Sequence, residues 1–224
     1  MRQEWLDLLQ RVSWNSRMTL ALTSGAIGSA VTLAWISAKD ARERRRRRRD
    51  TALELALSLE SYARTCRTMI HKATWAAAYP LGPTTSYAST GVSIPAFAYP
   101  DKLQWHVLSR QVISELRAYP AMVHGAREYL EAFRELGDPI DLCGQVEYEC
   151  AKAAISALAL ARATRGRHGA AAWRPGAKDS ALERELTVFI SNGEAKRKAA
   201  LECRADTMVG RGADARPSNQ PPIA

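Results

Sequence analysis

Histidine, cysteine and phenylalanine are rare in this chain of 224 residues, at four, four and three copies. The rarity closes several routes to function. His71, His106, His124 and His168 fall in separate segments, and no Cys/His pattern has the spacing of metal ligands. Cys66, Cys143, Cys150 and Cys203 are scattered without a C-x-x-C, which leaves out a zinc ribbon or a thioredoxin-type redox pair. H-E-x-x-H, G-x-S-x-G, G-x-x-x-x-G-K-[ST] and G-x-G-x-x-G are missing as well. Glu147 and Glu149 stand two apart on a helical stretch, point to different faces, and read as a solvated surface, not an acid/base dyad. The expectation is no enzyme, no catalytic residue, no metal and no cofactor.

Charge is also missing from one long stretch. Residues 18–38, "MTLALTSGAIGSAVTLAWISA", contain no ionisable side chain. As a helix this run rises about 31 Å, close to the thickness of a bilayer's hydrocarbon core. Met18, Leu20, Leu22, Ile27, Val31, Leu33 and Ile36 favour lipid, while eight positions are Gly, Ser or Thr. Trp14 and Trp35 sit at its ends, where interfacial indoles are enriched, and Arg17 and Lys39 bracket it. Gly28 adds no polar side chain, and Ala21, Gly25 and Ser29 form a small-xxx-small face of the kind that lets two spans approach. A small-residue excess in an Ala-rich chain explains that face equally well.

Three readings of the run compete. A secretory signal would leave a mature chain beginning with an arginine cluster that resists translocation. A buried core helix would show a polar stripe, and this run is apolar all round. Length and flanks favour a transmembrane helix over residues 18–38.

The basic charge is concentrated immediately afterwards. Lys39, Arg42, Arg44, Arg45, Arg46, Arg47, Arg48 and Arg49 face only Asp40, Glu43 and Asp50, so residues 39–50 hold +5 of the chain's net +9. Basicity this localised argues against a domain that coats nucleic acid. Asp40–Arg44 and Glu43–Arg47 stand at i,i+4, which supports a helix continuing out of the membrane. Next to an apolar run, such cations read as contacts to anionic lipid headgroups. The rival reading is a phosphate-binding arm for nucleic acid. Residues 1–17 carry fewer cations than 39–50, so the positive-inside rule puts the N-terminus outside and the C-terminal side in the cytoplasm. Trp5, Leu6, Leu8, Leu9 and Val12 give the short N-terminal segment an amphipathic face.

Residues 51–208 read as a helical domain. Ala52, Leu55, Ala56, Leu59, Tyr62, Ala63, Cys66, Met69, Ile70 and Ala73 follow an i, i+3, i+4, i+7 spacing, and Pro80, Gly82 and Pro83 end the helix. A loop over 79–101 follows, long enough to be functional or mobile. Periodicity predicts a helix from Lys102 to Ala118 that breaks at Pro120, and another over 121–136. Asp138 and Pro139 suit the N-cap and first turn of a helix reaching Gly166 or Gly169. Ser180 and Glu183 form a capping-box pattern opening a last helix, with a bend or break at Asn192–Gly193. Residues 209–224 have the composition of a disordered tail. Cys66, Cys143 and Cys150 fall on apolar helical faces as reduced structural thiols. Trp75, Trp105 and Trp173 are expected to pack in the core.

Three stretches, "ALELALSLESYARTC", "SIPAFAYPDKLQWHVL" and "ALARATRGRHG", resemble a group of bacterial membrane-anchored proteins in which one N-terminal span precedes a basic stretch and a small helical domain. The likeness covers about residues 18–170, and the chain past Gly169 departs from it. It implies bacterial origin and an inner-membrane layout, and it brings no activity. The combined expectation is an all-α protein. It has one transmembrane helix, a cytoplasmic helical bundle and a disordered tail, and it acts as an interaction or structural module through an unknown protein partner or self-association. The alternative is a soluble helical protein that binds nucleic acid through Arg44–Arg49.

Overall fold

The computed structural model describes the backbone of residues 2–78, 91–136 and 139–213, and side chains at Ser29 and over 31–78, 91–135 and 140–203. Among the described residues there are four α-helices and no strand: α1 (Arg2–Ala78), α2 (Arg110–Leu136), α3 (Pro139–His168) and α4 (Leu182–Ala213). The chain divides into two units, Met1–Arg49 and Asp50–Ala224. The all-α expectation holds for what is described.

The first unit consists of the N-terminal part of α1. No proline occurs before Pro80, and Ala, Leu and Arg, all strong helix formers, dominate. Ser29 and residues 31–49 are exposed throughout.

The second unit is built on residues 50–78 of α1. Ala52, Leu55, Ala56, Leu59, Ala63, Cys66, Ile70 and Ala73 are fully buried on one face, as the periodicity predicts. Val112, Leu116, Tyr119, Val123 and Leu130 of α2 join the same core, with Leu182 and Leu186 of α4. The contribution of α3 is Val146, Cys150, Leu158 and a row of buried alanines, Ala151, Ala153, Ala154, Ala157 and Ala161. Alanine costs no side-chain entropy on burial, and its size leaves the neighbouring backbone room to come close.

Several boundaries differ from the sequence reading. Pro120 does not break the chain into two helices: α2 runs through it from Arg110 to Leu136. A proline inside a helix strands the carbonyl four residues earlier, here that of Leu116. The Tyr99 hydroxyl donates to that Leu116 oxygen at 2.9 Å, so the acceptor is satisfied. The start also moves, because Trp105–Val107 forms a separate 3-10 turn and α2 begins only at Arg110.

The capping box is not formed. Ser180 Oγ donates to the Ala177 carbonyl at 2.9 Å, and the Glu183 carboxylate instead accepts from Arg162 at 2.8 Å. Nor does Asn192–Gly193 interrupt α4. Gly193 is there for close approach: a Cβ on it would lie 2.4 Å from Tyr148 Cδ2. The end of α3 does follow the sequence. Gly169 takes φ 62°, the Gly169 N–H bonds the Gly166 carbonyl, and the Ala170 N–H reaches back to the Arg165 carbonyl at 3.0 Å. That pattern is a Schellman cap, and its positive φ favours glycine.

The described part of the long loop, 91–101, is tied down. Val92 and Ile94 are buried, and Arg134 Nη2 donates to the Val92 carbonyl at 2.8 Å. Phe97 meets the rings of Tyr62, Tyr99 and Tyr119 edge-on, with centroids 4.7–5.0 Å away. The Tyr62 and Tyr119 hydroxyls donate to the carbonyls of Pro95 and Ala153. Burial raises the ionisation of Tyr62, Tyr99 and Tyr119 well above the usual phenol range. The rest of that loop, 79–90, lies outside the described residues, as do Gly137, Asp138 and the tail from 214 on. Residues 209–213, expected in a disordered tail, belong to α4.

Candidate membrane and phosphate interface

The candidate site lies on the first unit. Six of its expected apolar positions, Met18, Leu20, Leu22, Gly25, Ile27 and Gly28, have side chains outside the described residues, although their backbone is helical in α1. The others are described, and they are uncovered. Val31 is 64% exposed, Leu33 67%, Trp35 68% and Ile36 48%. At about 100° per residue these four positions span an arc of about 200°, wider than a single apolar stripe. No helix among the described residues is long and apolar enough to cross a membrane.

Lys39, Arg42 and Arg44–Arg49 follow without a break in the helix, and all eight are exposed. Consecutive residues on a helix point about 100° apart, so six arginines in a row make a collar, not a face. Glu43 accepts from Arg47, and that bond holds the Glu43 carboxyl below its ordinary value. The Asp40–Arg44 pair expected from spacing is not among the ion pairs of the described residues. Arg44, Arg45, Arg46, Arg48 and Arg49 form none there either. The collar presents five guanidinium groups that pair with no acid among the described residues, each a forked donor suited to phosphate oxygens.

The second unit is different in kind: several of its charges pair across its own elements. Arg165 Nε and Nη2 donate to the two oxygens of Glu60 at 2.8 and 3.0 Å, and both side chains are buried. Asp179 accepts from Arg64 at 2.8 Å and from Arg67 at 3.2 Å. Glu147 and Glu149 do point to different faces, but neither is merely solvated. Glu147 accepts from Thr74 of α1 at 2.7 Å, and Glu149 pairs with Arg197 of α4 at 3.2 Å. The Arg197 guanidinium also lies over the Tyr148 ring, 3.7 Å from its centroid.

His71 meets Glu185 at 2.9 Å and His124 meets Glu128 at 3.3 Å. Among the described residues no three His, Cys, Asp or Glu side chains gather as a metal site. Cys66, Cys143 and Cys150 are buried as free thiols, and Cys203 is exposed. The hydrogen bond that the Cys150 thiol makes to Cys66, and then burial, push that thiol upward, away from the reactive thiolate. Of the tryptophans, Trp105 packs on Tyr99 with ring centroids 5.3 Å apart, while Trp75 is 61% exposed. Trp173 is half-buried beside a cavity that periodicity did not foresee. Sequence reasoning missed the Glu60–Arg165 pair for a related reason. Its only signal is a glutamate on the inward arc of an apolar helix, with its partner 105 positions away.

No family model matches this chain, and no curated protein or solved structure is similar to it.

Proposed function

We propose that the chain is a single-pass membrane protein anchored by residues 18–38. In this reading Lys39, Arg42 and Arg44–Arg49 lie against the anionic headgroups of a bacterial inner membrane. The second unit is then a cytoplasmic interaction module, with the N-terminus outside. One observation carries the reading: Val31, Leu33, Trp35 and Ile36 are exposed on several sides of a helix at once. A partner helix covers a stripe, whereas hydrocarbon covers a circumference. The basic run begins at Lys39, three residues past Ile36, and the arginine collar follows at Arg44, on the side where headgroups would replace acyl chains. There each cation contributes about 1 kcal/mol of attraction to an anionic leaflet.

Alkaline carbonate extraction and flotation of membranes test the anchor, with a tag at each terminus to read topology by protease access. The expected result is full retention, with the C-terminal tag protected in intact spheroplasts and cleaved in inverted vesicles. Release of the intact chain by carbonate would sink the proposal.

The unneutralised arginines favour a second reading, a helix that binds nucleic acid through phosphate. In that case the purified chain binds duplex DNA with a steep salt dependence, and replacing Arg44–Arg49 by glutamine abolishes the binding. Unchanged binding in that variant would remove this reading.

A further inference from the structure

One side of the basic run carries more than charge. At about 100° per residue, Trp35, Lys39, Arg42 and Arg46 fall within an arc of about 60° on α1, so an indole and three cations share one stripe. Together with Ala38 and Glu43 they line a groove of about 460 Å³, and all six residues belong to the first unit. That size falls within the usual range of small-ligand sites. Every one of the six is exposed, and the helix is unbroken along them.

The charges of the groove are available. Its lining holds Lys39, Arg42 and Arg46 against Glu43, three cations and one acid, a balance of +2. Glu43 accepts from Arg47, which does not line the groove, and it feels Arg47 more strongly than Lys39. Lys39, Arg42 and Arg46 form no ion pair among the described residues.

Their spacing shapes what would fit. Lys39 to Arg46 covers about 10 Å of helix axis, so the positive charge is a row and not a point. One phosphate meets part of such a row, whereas two phosphates held a short distance apart meet all of it. Arg42 and Arg46 present forked donors for phosphate oxygens, and Lys39 adds a compact point charge. Trp35 stands one turn before Lys39, on the side of the uncharged run, at the level where indoles settle in a bilayer. The opposite face is different. Arg44 and Arg48 point about 180–220° away from Trp35, and no aromatic residue lies beneath them among residues 31–49.

We propose that this groove is a binding site for a dianionic glycerophospholipid, one whose two phosphodiesters are joined through a shared glycerol. The inference rests on the membrane reading of the first unit and names the lipid that its basic flank takes. The two phosphates lie along the row from Lys39 through Arg42 to Arg46 and match its balance of +2. Trp35 packs against the glycerol esters and the first acyl carbons. The shared chemistry is phosphate, and the acyl chains set a lipid apart from a soluble phosphate compound, because only they engage the apolar side of the stripe.

Native mass spectrometry of the purified full-length chain in detergent micelles tests this. Cardiolipin is the two-phosphate probe, and phosphatidylglycerol at twice the concentration is the one-phosphate probe at equal charge. Cardiolipin should give a saturable 1:1 adduct at least about tenfold tighter than phosphatidylglycerol. Arg42→Gln with Arg46→Gln should weaken cardiolipin about tenfold, whereas Arg44→Gln with Arg48→Gln, which removes the same charge from the other face, should change it less than about threefold. Deacylated cardiolipin headgroup and inorganic phosphate should each bind at least about tenfold more weakly than the lipid. All the substituted positions are exposed, and circular dichroism checks the helix content of each variant. Equal affinity for the two lipids, equal losses in the two double variants, or a headgroup that binds as tightly as the lipid would each overturn the proposal. Carbonate extraction separates this site from the anchor. A chain retained in membranes but without lipid preference keeps the anchor and loses the site, and a released chain loses both.

Discussion

The two units use the same amino acids to opposite ends. In the second, arginine is consumed: Arg64, Arg67, Arg162, Arg165 and Arg197 each reach an acid on another element. In the first, Arg44–Arg49 stand in sequence with one acid, Glu43, bound to one of them. Apolar residues show the same contrast. Leu55 and Leu59 are fully buried, while Leu33 on the same helix is 67% exposed. A side chain's role follows from whether the fold supplies its partner or leaves that partner to come from outside. In the proposed reading the second unit is self-sufficient and lipid completes the first.

The widest test of this contrast is removal. Deleting residues 1–49 should abolish membrane retention while leaving 50–224 a cooperatively melting helical protein, read by fractionation and circular dichroism. Loss of folding would show that the second unit is not self-sufficient.

Breaking its internal pairing comes next. Arg165→Met leaves Glu60 buried without its partner and should cost about 3–5 kcal/mol in denaturant unfolding. Replacing both, Glu60→Leu with Arg165→Met, should recover most of that loss, since the desolvation cost disappears with the charges. Leu59→Ala at a fully buried position should cost about 2–5 kcal/mol, whereas Leu33→Ala should leave unit-two stability unaltered.

A smaller effect is expected at the hydroxyl that serves Pro120. Tyr99→Phe keeps the ring contacts and strands the Leu116 carbonyl, at about 1–3 kcal/mol. pH reports on the same tyrosines. Burial raises Tyr62, Tyr99 and Tyr119 above the usual 10.0, so the folded chain keeps protons that the unfolded chain releases. Their contribution is complete below pH 10 and lost as pH rises beyond it, so unfolding curves should weaken steadily above that value. Smallest of all, glutamine at Arg44–Arg49 should change the second unit's stability by less than about 0.5 kcal/mol. A larger change would mean that the collar is not independent of the bundle.

Much of the fold was legible because helices advertise themselves by period. The α1 core positions from Ala52 to Ala73, the inward Cys143, Val146 and Cys150, and the glycine ending α3 all follow from local spacing. What was not legible depended on partners distant in sequence. Pro120 reads as a break until Tyr99 arrives, and Ser180–Glu183 reads as a capping box until Arg162 claims the glutamate. Asn192–Gly193 reads as a hinge until the ring of Tyr148 is seen lying on the glycine. The cavity beside Trp173 has no local signature, because Glu60 of α1 and Arg165 of α3 meet beside it only in three dimensions. The proposed interface on the first unit is the reverse case: composition is its main signal.

Pro120 makes α2 a conditional element. A peptide cut from 110–136 would have a gap in its ladder at Leu116, because the donor that fills it comes from a side chain 17 positions upstream. The continuity of this rod is therefore a tertiary property, resting in part on a hydroxyl lent by the irregular segment docked against it.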